Sequence, residues 1–307
     1  MQSAKQKKTL GLPESLPIGK TKKKQDASLG QRWLTALLLI PCVLLFVWFG
    51  GWASFAAILL VLVLGTFELQ HMFVNAGYHP LVWVSLGLGV FFLCSAMFPH
   101  QSLLILQVSL GVFLLVSFSL LFLRRTLDGV LADLSFTLMS PIYLGWPLSF
   151  FLFLRGYEVG QWHLNGGIWL FLPRGGWWLL TTLLAVWAFD GAAFFAGRYF
   201  GRHKLAPLIS PAKTWEGVAG GLVSCIIACL VLTVIPLGVP WYLAVVLGLL
   251  VGTAATLGDL AESMIKRQMH VKDSGQIMPG HGGMLDRLDS ILFAVIVVYM
   301  FAQLVGR

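Results

Sequence analysis

From residue 33 onward the chain runs in long apolar blocks separated by short polar or turn-forming breaks. Nine blocks can be counted, at about 33–50, 52–73, 81–99, 103–123, 134–154, 177–196, 212–235, 241–258 and 289–305. Helices of roughly 20 apolar residues are what a ~30 Å hydrocarbon core requires. Residues 33–64 and 81–123 hold almost no charge, and only Gly50-Gly51 separates the first two blocks, which predicts a tight hairpin there. The pattern predicts an all-α polytopic membrane protein of about nine transmembrane helices.

Composition strengthens this reading. Of 307 residues 58% are hydrophobic and 11% charged, against about 25% charged in an ordinary soluble domain. The net charge of +8 would fit a nucleic-acid binder, but eight of the 21 Lys and Arg fall in the first 32 residues. A basic tail on an otherwise apolar chain points to a membrane surface and away from nucleic acid. No small-residue cleavage site interrupts the block beginning at Trp33, so residues 1–32 read as a disordered cytosolic tail rather than a signal peptide. With the N-terminus inside and nine alternating spans, 18 of the 21 cations fall inside; Arg155, Arg174 and Arg307 are left outside. The positive-inside rule favours this orientation, with the C-terminus outside.

The two halves differ in chemistry. Residues 33–180 form a bland transmembrane region, whereas seven of the 13 acidic residues lie in the region 181–307. No internal repeat is evident, which weighs against an inverted-repeat transporter. The four cysteines (Cys42, Cys94, Cys225, Cys229) all sit in apolar blocks without zinc-type spacing and read as packing residues. Glu68, an acid in the second block near His71, is explained by a local hydrogen bond or by snorkelling.

The densest polar stretch follows the eighth block: GDLAESMIKRQMHVKDSGQIMPGHGGMLDRLD, residues 258–289. If the helix continues past Gly258, then Asp259, Glu262, Ser263 and Lys266 share one face. Asp286 and Asp289 follow one turn apart at the start of the ninth block. Asp259 and Asp286 thus lie on helix ends that the intervening loop can bring together. Facing carboxylates in a poorly hydrated site need a counter-charge. A divalent cation supplies it, and oxygen-only ligands favour Mg²⁺ over zinc. Lys266, Arg267, Lys272 and Arg287, with the amides of Gly282-Gly283 beside His281, would hold a polyphosphate.

A second polar cluster spans residues 186–221. Asp190 falls inside the sixth block, and an intramembrane carboxylate marks a functional site by default; a salt bridge to Arg198 is the plainer alternative. Ser210-Pro211 reads as the N-cap and first residue of the seventh helix. That places Lys213 and Thr214 in a helix N-terminal turn suited to phosphate, with snorkelling the alternative for Lys213.

Residues 263–289 (SMIKRQMHVKDSGQIMPGHGGMLDRLD) closely resemble the signature of phosphatidate cytidylyltransferases, also called CDP-diacylglycerol synthases. GRYFGRHKLAPLISPAKTWEGVAGG and GDLAES look like that family too, so the resemblance covers about residues 186–290. Phe194 departs from it, standing where a Tyr is common. The resemblance implies transfer of the cytidylyl group of CTP to phosphatidic acid, giving CDP-diacylglycerol and pyrophosphate. It implies Mg²⁺ on Asp259 and Asp286, with room for a monovalent cation beside it. Lys266, Lys272 and Asp289 are the further catalytic candidates. Asp190, Lys213, Thr214, Ser263, Arg267, His281, Gly282, Gly283 and Arg287 are the substrate-binding ones. The expected setting is a bacterial inner (plasma) membrane with the active site on the cytoplasmic face; a homodimer is left open. The alternatives are another CTP-using lipid enzyme, such as a polyprenol kinase, and an ion-coupled transporter using Asp190 and Glu68.

Overall fold

The computed structural model describes residues 46–124, 126–157, 164, 171–275 and 282–305. The tail at 1–32, most of the first apolar block, and His281 lie outside them. The eight remaining blocks are helices: α1 Gly51–Asn75, α2 Val82–Met97, α3 Ser102–Phe122, α4 Val130–Arg155, α5 Arg174–Phe200, α6 Trp215–Leu237, α7 Trp241–Gln268 and α8 Asp289–Val305. Six of these are long and apolar enough to cross a membrane, counting α3 with its leading turn from Pro99; α2 and α8 are apolar but shorter. The protein is a multi-pass, predominantly α-helical membrane protein.

Gly50 and Gly51 both take left-handed backbone (φ 64° and 53°), which permits the tight turn that the sequence predicts before α1. The Arg155 guanidinium, at the end of α4, clasps the carbonyls of Val47 (2.6 Å) and Trp48 (2.8 Å) on the far side of that turn.

The α3 helix is thinly packed. Within α3 only Ser109, Phe113, Ser117 and Leu121 are buried, a seam one residue wide with a four-residue period. The rest of the helix presents Leu, Val and Phe outward, as lipid contact allows. The α4 helix widens into a π-helical turn at Pro141–Gly145, where proline supplies no N–H to the regular ladder. Gly145 lies against Gly89 of α2, so close that a Cβ there would stand 2.7 Å from the Gly89 Cα. The Gln70 amide of α1 donates to Ser85 Oγ (3.0 Å) and Ser140 Oγ (2.7 Å), tying α1, α2 and α4 together.

The second half packs through small residues. Gly217, Gly220 and Gly221 of α6 face Ala193, Ala196 and Phe189 of α5, leaving no room for added Cβ atoms; this is how membrane helices approach closely. Gly258 of α7 abuts the backbone of Asp289. That crossing sets Asp259 beside the start of α8.

One sequence expectation is corrected here. Among the described residues a short hairpin accompanies the helices: β1 Lys204–Ala206 pairs antiparallel with β2 Ser210–Thr214. Ser210-Pro211 therefore does not start the seventh helix; it belongs to β2. The helix begins at Trp215 with Thr214 as its cap, the Thr214 hydroxyl accepting from the Gly217 N–H at 3.2 Å. Both prolines of the segment, Pro207 and Pro211, suit turn and edge-strand positions that need no ladder N–H.

Candidate active site

A cleft of about 510 Å³ opens where α5, α6, α7 and α8 meet. Asp190 and Arg198 enter it from α5, Lys213 and Thr214 from β2, Asp259 from α7, Asp286 from the loop and Asp289 from α8. Six of the fourteen residues selected from sequence line it: Asp190, Lys213, Thr214, Asp259, Asp286 and Asp289. The long α7 helix, unbroken past Gly258, is what lifts Asp259 to the cleft.

Thr214 is held by more than its cap. It is 5% exposed, and Gly197 and Gly201 of the α5 end press on its side chain. The neighbouring Lys213 ammonium pairs with Asp259, so it is a site residue and not a snorkelling one. The plain salt bridge between Asp190 and Arg198 does not form; Asp190 has the Ser290 hydroxyl as its hydrogen-bonding neighbour and lies within electrostatic reach of Asp259 and Asp289.

Around Asp286 the geometry is denser. Its Oδ1 accepts from Lys266 Nζ at 2.7 Å, and its Oδ2 from the amides of Gly283 (2.9 Å) and Ser274 (3.2 Å). Burial pushes the Asp286 carboxyl up, but the hydrogen bonds from Lys266 and Gly283 outweigh it and hold the group below its ordinary value. Lys266 also donates to Glu262 Oε2 at 2.5 Å. Glu262 is 1% exposed, so Lys266 is a buried strut between two carboxylates rather than a free phosphate ligand. The Asp289 Oδ1 accepts from the Ser290 amide at 2.6 Å.

Several sequence candidates stand outside the cleft wall. Ser263 faces Asp259 at 3.4 Å. Arg267 donates to the carbonyls of Ile209 and Val271, both at 3.3 Å, bracing the hairpin. Lys272 and Arg287 are exposed on the loop. Gly282 has φ 85°, and a Cβ there would meet Asp286 Oδ2 at 2.8 Å, which explains glycine at that position. Sequence reasoning missed Ser274 and Ser290 as structural partners, and did not connect Glu68 to the loop at 274–285.

The cleft wall carries four carboxylates against two cations, Arg198 and Lys213. An oxygen-only, acid-rich wall suits a hard divalent cation. Among the described residues no three His, Cys, Asp or Glu side chains converge into a ready-made metal cage. Mg²⁺ does not need one, since it keeps several waters and binds through one or two carboxylates plus substrate phosphates.

Residues 30–305 match the model of the cytidylyltransferase family. The chain belongs to the cytidylyltransferase family. A relative from Synechocystis, named phosphatidate cytidylyltransferase, is 36% identical over 299 residues, covering 89% of this chain and 96% of the relative. The Brucella suis protein of the same name is 33% identical over 261 residues, 80% of this chain and 92% of its own length. A Bacillus subtilis namesake is 35% identical over 56% of this chain and 59% of its own. The family match reaches far into the hydrophobic first half, where the sequence signature at 186–290 gave no purchase.

Proposed function

We infer that this chain is a phosphatidate cytidylyltransferase, joining CTP and phosphatidic acid into CDP-diacylglycerol with release of pyrophosphate for phospholipid synthesis. The observation that carries the reading is the convergence of Asp190, Lys213, Thr214, Asp259, Asp286 and Asp289 on one cleft in a chain of this family. In the reaction a phosphate oxygen of the lipid bonds to the α-phosphorus of CTP while the bond from that phosphorus to the β-phosphate oxygen breaks. The barrier is dominated by charge repulsion and positioning. Lys213 and Arg198 place positive charge at the cleft wall. The loop amides pinned by Asp286 keep that side of the cleft in shape.

Mg²⁺ is the cofactor this chemistry calls for, with Asp259 and Asp286 as its proposed ligands. When bound it would neutralise phosphate charge and polarise phosphoryl oxygens. Lys213 and Lys266 now occupy those two carboxylates, so each lysine would shift or share its partner as metal and nucleotide arrive. The same reading places the cleft at the cytoplasmic face of a bacterial inner membrane, with nine spans and the N-terminus inside. Cysteine-accessibility labelling at positions 8, 160, 205 and 275 tests that topology; outer-face labelling at 275 would overturn it. The decisive assay incubates purified protein with radiolabelled CTP and compares phosphatidic acid, a polyprenol and a polyprenyl phosphate as acceptors. Label entering only the phosphatidic acid product supports the reading, and transfer of the CTP γ-phosphate to polyprenol replaces it with a kinase.

A further inference from the structure

Glu68 lies in the half of the chain that carries no other site residue, yet its side chain reaches the loop that holds Asp286. It is 5% exposed, deep among the buried residues of α1. Its Oε2 accepts from the Leu285 N–H at 2.9 Å and from the Ser274 hydroxyl at 3.5 Å. Two glycines make room for it. A Cβ on Gly275 would stand 2.5 Å from Glu68 Oε1 and 2.8 Å from its Cδ, and one on Gly283 would stand 2.7 Å from Oε2. The carboxylate is therefore wedged between the two flanks of the loop, Ser274-Gly275 on one side and Gly283 to Leu285 on the other.

Asp286 grips the same two flanks from the cleft side, through the amides of Ser274 and Gly283. The flanks are thus pinned twice, once by a cleft residue and once by a carboxylate more than 200 positions away in sequence. A local hydrogen bond or snorkelling does not describe Glu68, because its donors come from the far end of the chain. An acid kept this deep carries a desolvation cost of several kcal/mol unless it is well used. Its donors come from both flanks of the loop, so what the side chain supplies there is an acceptor oxygen placed between them. We propose that Glu68 is a positioning residue for cytidylyl transfer: it fixes the loop flanks so that Asp286, and through it Lys266, is aimed correctly at the cleft. This rests on the functional reading above for the reaction, but the pinning itself is a property of the free protein.

The test uses the full chain purified in detergent, as wild type, Glu68→Ala, Glu68→Gln, Gly275→Ala and the Glu68→Ala/Gly275→Ala pair. Two quantities are read: hydrogen exchange of peptides covering 272–275 and 282–289 without substrate, and kcat with KM for CTP. Glu68→Ala should speed exchange in those peptides while α5 and α7 keep their protection. It should lower kcat by about 10–100-fold, the scale for groups that orient metal-binding carboxylates. Glu68→Gln keeps an acceptor for the Leu285 N–H and should recover most of that loss. Gly275→Ala should be damaging alone and add nothing once Glu68 is Ala, because the atoms it would strike are gone. Unchanged loop exchange in Glu68→Ala would overturn the proposal, as would an equal Gly275→Ala penalty in both backgrounds or a failure of Gln to rescue. A wild type inactive with CTP and phosphatidic acid would refute the functional reading alone, since the exchange and double-variant results are read without substrate.

Discussion

Residues 51–155 and 174–305 treat acids set among apolar helices in opposite ways: Asp133 is buried, whereas the cleft acids are half-buried or exposed. In the first region Asp133 is 4% exposed and has dedicated partners: the Arg124 guanidinium and the His79 N–H at 2.7 Å. One carboxylate meets one cation, and Arg124 goes on to the His79 carbonyl. In the second region Asp190, Asp259, Asp286 and Asp289 share one cleft wall with only Arg198 and Lys213. The lesson is that a carboxylate in an apolar setting does not by itself mark a site. A carboxylate with a permanent partner closes a fold, whereas acids in excess of cations around a cleft leave binding capacity for something that arrives.

The strongest way to break this comparison is to neutralise one acid of each kind. Asp259→Asn or Asp286→Asn should cut turnover by at least ~10³-fold, the scale for removing a preorganised electrostatic element. Wild-type turnover by Asp259→Asn at low Mg²⁺ would show that the metal ligands are wrongly assigned and would turn attention to Glu262. Asp133→Ala should instead leave kcat within about twofold. Its cost should appear in thermal unfolding, at about 1–2 kcal/mol, because Asp133 is buried while Arg124 stays partly exposed to solvent. If Asp133→Ala abolished turnover without lowering stability, the distinction between closing and binding acids would fall.

Smaller effects sharpen the picture within the cleft. Asp289→Asn should lose ~10–100-fold in turnover, as expected of a group acting beside the metal ligands rather than as one of them. Added Mg²⁺ should restore part of that activity but none in Asp259→Asn; equal rescue of both would erase the ranking. Thr214→Ala removes the α6 cap and should cost about 1 kcal/mol in stability, read as a lower melting temperature. An unchanged melting temperature would mean that the β2 pairing alone secures the start of the helix. The smallest effect belongs to the lipid-facing seam: Leu103→Ala, 68% exposed on α3, should change stability by no more than about 0.5 kcal/mol.

Much of the architecture was legible in the sequence because lipid imposes a strict rule. Backbone polar groups must be satisfied within each segment, so apolar length alone predicted nine helices, and the eight that fall among the described residues have boundaries within a few residues of the prediction, apart from α7. The extension of α7 to Gln268 entered the sequence reading only as a condition, under which Asp259, Glu262, Ser263 and Lys266 share one face. The acids and the cation of the cleft that came from sequence were found by their charge in an apolar setting. The 204–214 hairpin escaped because Ser-Pro is equally good as a helix start and as an edge strand, and only the pairing with β1 decides between them.

What tertiary structure alone decided is which charge answers which. Sequence spacing placed Lys266 on a face with Glu262, but not its second bond to Asp286, twenty residues away. It found Lys213 without showing that Asp259 holds it. It recorded Glu68 as an isolated acid near His71, and no periodicity connects that residue to Ser274 and Leu285. The physical reason is that apolar patterning is a solvent-driven property of each segment, readable one helix at a time. Ion pairing and loop pinning depend on distances between segments, and these are set by close crossings such as Gly258 against Asp289.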